Sequence, residues 1–322
     1  MQTRTAKPWL LRLAWLSVII ACMAGEAWAQ MIEEPWSLAG LHGTFSRPAA
    51  GPARGPAVLI IAGSGPTDRN GNGPVISTDT YRKLAEGLAA NGIRSLRYDK
   101  RGLGESRALL AREEDVVFAD FVGDAATAIR NLSQRDDVSS VLIAGHSEGA
   151  LIGLLASSQA DIAGLALLTA TGRSIRAILG DQLKSGLPPA LEAEAFRILD
   201  LLASGQRVTE ISAELMPLFR PSVQPFFISV LNIDPAIELT KSKIPVLILH
   251  AGRDLQIFPA DFEALRKARP DAHVVELPNA NHVLKTAPAD LAGNRALYRD
   301  RDAPLDPGVM PALVDFIRAA VR

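Results

Sequence analysis

The pentapeptide Gly145-His146-Ser147-Glu148-Gly149 closes a β-branched, apolar run within VSSVLIAGHSEGAL at 138–151. A serine between two glycines at a strand-to-helix turn matches the G-x-S-x-G nucleophile elbow. The turn is so sharp that a Cβ at Gly145 or Gly149 would collide with neighbouring backbone. Ser147 then stands at the tip in a strained conformation, beside the N–H groups and positive dipole end of the following helix. A serine hydroxyl is a weak nucleophile at neutral pH. It needs a base to take its proton and an acid to orient that base. The chain offers both, in the order Ser, acid, His. Asp254 lies in Ala251-Gly252-Arg253-Asp254 and His282 in Asn279-Ala280-Asn281-His282, each after an apolar strand-like run. Three positions thus converge on the carboxyl ends of strands, the edge where doubly wound sheets place their sites.

Plainer readings compete for the same residues. Asp254 could be an Asx-turn residue or a helix cap, and His282 a surface histidine near a turn. The other histidines of the mature chain are weaker candidates. His146 is expected to point into the packing beneath the elbow. His250 closes a strand, His273 opens one, and His42 lies in an edge hairpin.

Acyl transfer through a serine also needs two backbone N–H donors for the oxyanion. One is expected from Glu148, the residue after the nucleophile. The other is expected from the Gly63-Ser64-Gly65 turn after the first core strand, where Pro66 has no N–H to give; Ser64 is the choice. The same turn could also be a plain flexible loop.

The elements that must position these residues alternate between two periods. Met31 to Arg47 reads as an edge hairpin, and Pro56 to Ala62, Ile93 to Tyr98, Val138 to His146, Ile162 to Leu168, Pro245 to Leu249 and His273 to Leu277 as strands. Helical spacing covers Thr80 to Ala90, Phe118 to Leu132, Ala260 to Ala268 and Pro311 to Val321. Strands alternating with helices imply a mostly parallel, doubly wound α/β sheet covered on both faces. Between Arg173 and Lys243 no strong strand appears; apolar residues recur at helical spacing, broken by prolines. The expected division is a core at 30–172 and 241–322 and a helical cap insertion at 173–240.

The chain has 322 residues, 48% hydrophobic, with a formal net charge of -1. Near-neutral charge argues against a nucleic-acid partner, and the scarce aromatics against a stacking platform. Residues 1–29 read as a secretory signal peptide: Arg4, Lys7 and Arg12, an apolar run from Leu13 to Met23, then Ala27-Trp28-Ala29. That run is too short for a stable membrane span. Cleavage before Gln30 would make the protein periplasmic or secreted. In the alternative, Ile19-Ile20-Ala21-Cys22 is a lipobox and Cys22 the lipid anchor. Cys22 is the only cysteine, so cleavage before Gln30 leaves a mature chain without disulfide or thiol chemistry.

Five motifs together resemble the α/β-hydrolase superfamily, and within it bacterial exported esterases and serine aminopeptidase-like hydrolases. They are GSGPTDRNGN at 63–72, YDKRGLGES at 98–106, GHSEG at 145–149, GRD at 252–254 and NH at 281–282. The resemblance covers most of the mature chain except the insertion. It implies the α/β-hydrolase fold, with Ser147 as nucleophile, Asp254 as acid and His282 as base. It also implies that the insertion is a cap shaping the substrate pocket, and that Asp99 and Arg101 organise a loop. Many relatives carry His-Gly before the oxyanion residue, where this chain has Ala62-Gly63.

The expectation is therefore a serine esterase that cleaves small-molecule carboxylic esters through an acyl-enzyme, with no cofactor. An aminopeptidase or amidase with the same triad is the alternative among enzymes. A different class is a non-catalytic, calcium-dependent binding module built on the same fold. Asp68-Arg69-Asn70-Gly71-Asn72-Gly73, with Asp79 at the twelfth position, nearly matches an EF-hand loop. A strand rather than a helix precedes it, however, and Ile76 stands where an oxygen ligand is expected. The oligomeric state is not legible.

Overall fold

The computed structural model describes residues 31–322; the expected signal peptide, its cleavage point before Gln30 and Cys22 lie outside the described residues. Eight strands form one sheet in the order β1-β2-β4-β3-β5-β6-β7-β8. They are β1 (Met31–Leu38), β2 (Leu41–Pro48), β3 (Gly55–Ile61), β4 (Arg94–Tyr98), β5 (Val138–His146), β6 (Gly164–Leu168), β7 (Val246–Ala251) and β8 (His273–Leu277). The β1–β2 hairpin and the β2–β4 pair are antiparallel, and every pair from β4 to β8 is parallel. This is the doubly wound α/β-hydrolase architecture.

Strand alternation builds two cores. In β3, Ala57, Leu59 and Ile61 face one layer while Val58 and Ile60 face the other. The first layer is covered by helices α2 (Phe118–Ser133) and α3 (Glu148–Ala156), through Val122, Ala126, Ile129 and Leu151. The second is covered by α1 (Thr80–Ala90) and, at the far end of the chain, by the helix Val309–Ala320, through Leu84, Leu88, Leu313 and Ile317. The closing helix starts two residues before the expected Pro311. A proline in the first turn breaks no intrahelical bond, so it does not mark the boundary.

Between β6 and β7 the described chain is helical: α4 (Ile175–Gly186), α5 (Pro189–Ala203), α6 (Met216–Phe219), α7 (Gln224–Val230) and α8 (Pro235–Thr240). This segment has a small core of its own around Ile198, Leu199, Leu202, Phe219 and Leu231. It is tied down at its start by Asp261, a fully buried carboxylate in α9 (Pro259–Ala268). Asp261 accepts the Gly172 and Arg173 amides at 3.2 and 3.1 Å and the Arg173 guanidinium at 3.0 Å. A second tether joins Phe226 of α7 to Phe118 and Phe121 of α2, with ring centroids 6.0 and 6.1 Å apart. A short helix at Leu291–Ala296, which no periodicity marked, is α10, and the closing helix is α11.

Candidate active site

The elbow stands at the centre of the sheet's carboxyl edge. β5 is flanked by β3 and β6, with Gly145 paired to Ile61 on one side and Leu167 on the other. Ser147 follows directly at φ 54, ψ -123, a conformation that costs an L-residue on the order of 1–3 kcal/mol. Neighbouring backbone holds it there. The Ser147 amide donates to the Leu168 carbonyl at 2.9 Å. Close packing explains the two glycines. A Cβ on Gly145 would lie 2.5 Å from Ala150 Cα, and one on Gly149 would lie 2.3 Å from the Ile61 carbonyl oxygen.

Asp254 and His282 come together from the loops after β7 and β8. His282 Nδ1 lies 2.8 Å from Asp254 Oδ2. The other oxygen of Asp254 accepts the Gln256 and Ile257 amides at 2.7 and 2.9 Å. Burial pushes the Asp254 carboxyl up, but the charge of His282, its hydrogen bond and those two amides outweigh burial and hold the group below the usual carboxylate range. The two loops are laced together: Gly252 N–H donates to the Leu277 carbonyl and Arg253 N–H to the Ala280 carbonyl. The His282 loop is pinned by Thr80 Oγ1, which donates to the Val283 carbonyl, and by Asn281, whose Oδ1 accepts the Lys285 amide.

Ser147 and His282, both almost fully buried, line one cavity of about 60 Å³ together with Ser64, Tyr81 and His146. Ser64, Ser147 and Glu148 line a larger chamber of about 300 Å³, roofed by Ile178, Leu179, Phe226 and Phe227 of the helical segment. A second chamber of about 380 Å³ shares Ser64, Glu148 and Phe226 with the first and is lined further by Leu103, Leu110 and Phe121. Apolar walls around a few convergent polar groups are the usual make-up of a small-molecule site.

Three functional neighbours escaped the sequence reading. Tyr81, in α1, accepts the Gly63 amide at its hydroxyl at 2.9 Å, and the same hydroxyl sits 2.9 Å from His146 Nδ1. The other ring nitrogen, Nε2, faces the His282 carbonyl, which can only accept, so in the neutral ring Nδ1 carries no proton and accepts that of the Tyr81 hydroxyl. His146 therefore carries its proton on Nε2 and donates it to the His282 carbonyl at 2.7 Å. Burial, with the charge of His282 second, pushes the His146 imidazole down to about 3, so it stays neutral. Thr169, at φ 44, places its hydroxyl 3.5 Å from the same carbonyl. Lys100, buried, donates to the Gly63 carbonyl at 2.6 Å and to Glu148 at 3.3 Å. A tyrosine in an amphipathic helix reads as packing, so nothing flagged Tyr81. Lys100 lies in YDKRGLGES, two residues past the end of a strand, and that position was its signal.

The remaining polar residues of the motifs hold loops. Asp99 accepts the Arg69 and Glu105 amides at 2.8 and 2.9 Å and pairs with the Arg69 guanidinium at 2.7 Å. Arg101 grips Asp124 through two bonds of 2.8 and 2.7 Å. In the near-match to a calcium loop, Asp68 Oδ1 accepts the Asn70 and Asn72 amides, Asn72 Oδ1 accepts those of Thr78 and Asp79, and Asp79 pairs with Arg301. Among the described residues no group of three His, Cys, Asp or Glu side chains converges to hold a metal ion. No helix among them is long and apolar enough to cross a membrane.

Comparison with known proteins agrees with this architecture. Residues 58–293 match the model of the alpha/beta hydrolase family. The chain is 29% identical over 259 residues to the esterase EstD of Thermotoga maritima; the match takes in 78% of this chain and 60% of the length of EstD. Among solved structures, Est1E from Butyrivibrio proteoclasticus superposes with a TM-score of 0.57 at 18% identity, covering 90% of this chain and 98% of Est1E. The esterase EaEST from Exiguobacterium antarcticum superposes with a TM-score of 0.51 at 16% identity, covering 86% and 96%. Identities this low speak for the fold alone.

Proposed function

The chain belongs to the alpha/beta hydrolase family, and on that premise we propose that it is a serine esterase acting on small carboxylic esters. Ser147 attacks the ester carbonyl while His282 takes its proton. Asp254 fixes the tautomer of His282 and stabilises the imidazolium as it forms. The oxyanion is held by the Ser64 and Glu148 amides. His282 then hands its proton to the departing alcohol, which leaves Ser147 acylated. Water, deprotonated by His282, attacks the acyl-enzyme; a second tetrahedral intermediate collapses, the carboxylic acid leaves, and the proton returns to Ser147.

The observation that carries this reading is the 2.8 Å contact between Asp254 and His282, made beside a cavity that His282 shares with a strained, buried serine. The ester preference is supported by the largely apolar chamber under Ile178, Leu179, Phe226 and Phe227, which suits an acyl chain, and by the similarity to EstD. The test is a panel of p-nitrophenyl esters and amino-acid p-nitroanilides, run beside a fluorophosphonate probe. The expected outcome is ester turnover and covalent labelling, both abolished by Ser147→Ala without loss of the folded state. Labelling of the Ser147→Ala protein would move the nucleophile elsewhere, and turnover of anilides over esters would make the enzyme an amidase.

A further inference from the structure

We propose that Lys100 is a positioning residue that sets the oxyanion hole, by anchoring the peptide that precedes Ser64. The inference rests on the serine esterase reading above.

In a trans peptide the C=O and the following N–H point in opposite directions. The peptide between Gly63 and Ser64 has its carbonyl against the Lys100 ammonium at 2.6 Å. The Ser64 N–H must therefore point away from Lys100. Ser64 itself lines the chamber that it shares with Ser147 and Glu148. Among the described residues, the Ser64 amide donates to no protein acceptor, as an amide reserved for a reaction intermediate should. The Glu148 amide, at the first position of α3, has no intrahelical acceptor either.

The rest of the peptide unit is held as firmly. The Gly63 N–H is taken by the Tyr81 hydroxyl at 2.9 Å. A Cβ on Gly63 would meet His146 Nδ1 at 3.1 Å and Ser147 Cβ at 3.2 Å, so the loop lies hard against the elbow. Lys100 also reaches the other donor residue, 3.3 Å from a Glu148 carboxylate oxygen, and packs 5.6 Å from the centre of the Phe121 ring. One buried ammonium thus bridges the Gly63–Ser64 peptide and Glu148, and Ser64 and Glu148 line the same chamber. Lys100 lies next to β4, whose neighbour β3 carries the Gly63 loop, so sheet pairing itself brings the cation to the carbonyl. A surface lysine could not do this: water would compete for both partners, and the long side chain would not stay in one rotamer.

An anchored donor matters because oxyanion stabilisation depends on donors that are already aimed when charge develops. Removing one such donor costs roughly 10²–10³-fold in turnover. Losing the anchor misdirects the donor rather than deleting it, so the loss should be about 10- to 100-fold.

The experiment compares Lys100→Met, which keeps the length of the side chain but has no donor, with Lys100→Arg, which restores one. Steady-state kinetics on a p-nitrophenyl ester are read beside the inhibition constant of a phenylboronic acid, whose serine adduct is tetrahedral and places an oxygen in the hole. Lys100→Met should lose about 10- to 100-fold in kcat with KM within about threefold, and boronate affinity should fall by the same factor. Lys100→Arg should recover most of both. A folded Lys100→Met protein with unchanged kcat overturns the proposal. So does a fall in kcat with boronate affinity intact, or an arginine variant no better than the methionine one. Should Lys100→Met fail to fold by thermal denaturation, Lys100→Gln, whose amide falls short of the carbonyl, takes its place with the same expected outcomes. A wild-type protein that turns over no ester and takes no fluorophosphonate label sinks the esterase reading instead, and the two failures are told apart in one set of assays.

Discussion

Asp254 has all of its close partners inside the site, and that separates it from the other buried aspartates. Its two oxygens serve His282 and the backbone of its own loop, whereas Asp99 serves Arg69 and Glu105. Asp254→Asn keeps the shape but presents an N–H or an uncharged oxygen to His282, favouring the wrong tautomer. In the serine protease triad the corresponding change costs about 10⁴-fold in kcat, and a loss of that order is expected here. Asp99→Asn should lower the melting temperature and leave turnover within about tenfold. Measuring kcat/KM and thermal midpoints for both variants decides between them; the reverse pattern would assign the acid to Asp99. His146 carries a pH consequence. Its folded value, about 3, lies below its ordinary 6.5, so between those two pH values the unfolded chain binds a proton that the folded chain refuses. Stability is therefore full above pH 6.5 and falls as pH drops through that window, by about 1.4 kcal/mol per pH unit for one proton. His250, stacked on Phe262 and also lowered by burial, adds in the same direction. In urea titrations from pH 6 to pH 4, His146→Gln should show a shallower loss than the wild type. Parallel slopes would mean that His146 accepts its proton within the fold.

The elbow is an element whose geometry is set by what two adjacent strands leave free. α3 begins against the end of β3, so Gly149 lies on the Ile61 and Ala62 carbonyls, 2.3 and 2.7 Å from where a Cβ would be. Both obstacles are backbone at the end of a central strand, Ile61 within it and Ala62 just past it, and cannot step aside. Gly149→Ala should cost about 3 kcal/mol, in line with overpacked cores, and should weaken fluorophosphonate labelling by displacing Ser147. Urea denaturation with labelling checks both; an unchanged midpoint would show that α3 can draw back from the sheet. The β1–β2 hairpin follows a different rule. Ala39 and Gly40 both take positive φ, 51 and 84, the mirror-image turn that matches strand twist. There Ala39 carries local strain far from any chemistry, so strain alone does not mark a functional site.

Seen across the molecule, the parallel sheet brings the ends of β3, β5, β7 and β8 to one edge, and the helical segment between β6 and β7 lies over that edge. The ring of Phe226 lines both of the larger chambers at Ser64 and Glu148. That ring is also the tether to Phe118 and Phe121. Phe226→Ala should merge the chambers and shift preference toward longer acyl chains, while fluorophosphonate labelling of Ser147 changes little. A series of p-nitrophenyl esters of rising chain length reads this out; an unaltered preference would reduce Phe226 to packing. Arg220 of the same segment pairs with Glu113, ahead of α2, so the roof is fastened on two sides of the second chamber.

Local patterns were enough to read a mostly parallel, doubly wound α/β sheet from the chain, and the resemblance carried by five motifs implied the α/β-hydrolase fold. Apolar strands of period two and helices of period 3.6 alternate, and the glycines of the elbow are demanded by sterics within a few residues. Ser147, Asp254 and His282 could be named together because each follows a strand, and parallel strands end on one edge wherever they pair. Glu148 was a candidate because it follows the elbow serine, and Ser64 because it lies in the glycine turn after the first core strand. What only the tertiary structure decided are contacts between residues far apart in the chain. The Tyr81 hydroxyl meeting Gly63 and His146, and the His146 Nε2–H meeting the His282 carbonyl, join α1, β3, β5 and the loop after β8. No period or motif encodes such meetings, because they depend on which strands become neighbours and how far each loop leans. The same holds for Lys100. Its charge was visible at position 100, but its burial against the Gly63 carbonyl exists only once β4 has paired with β3.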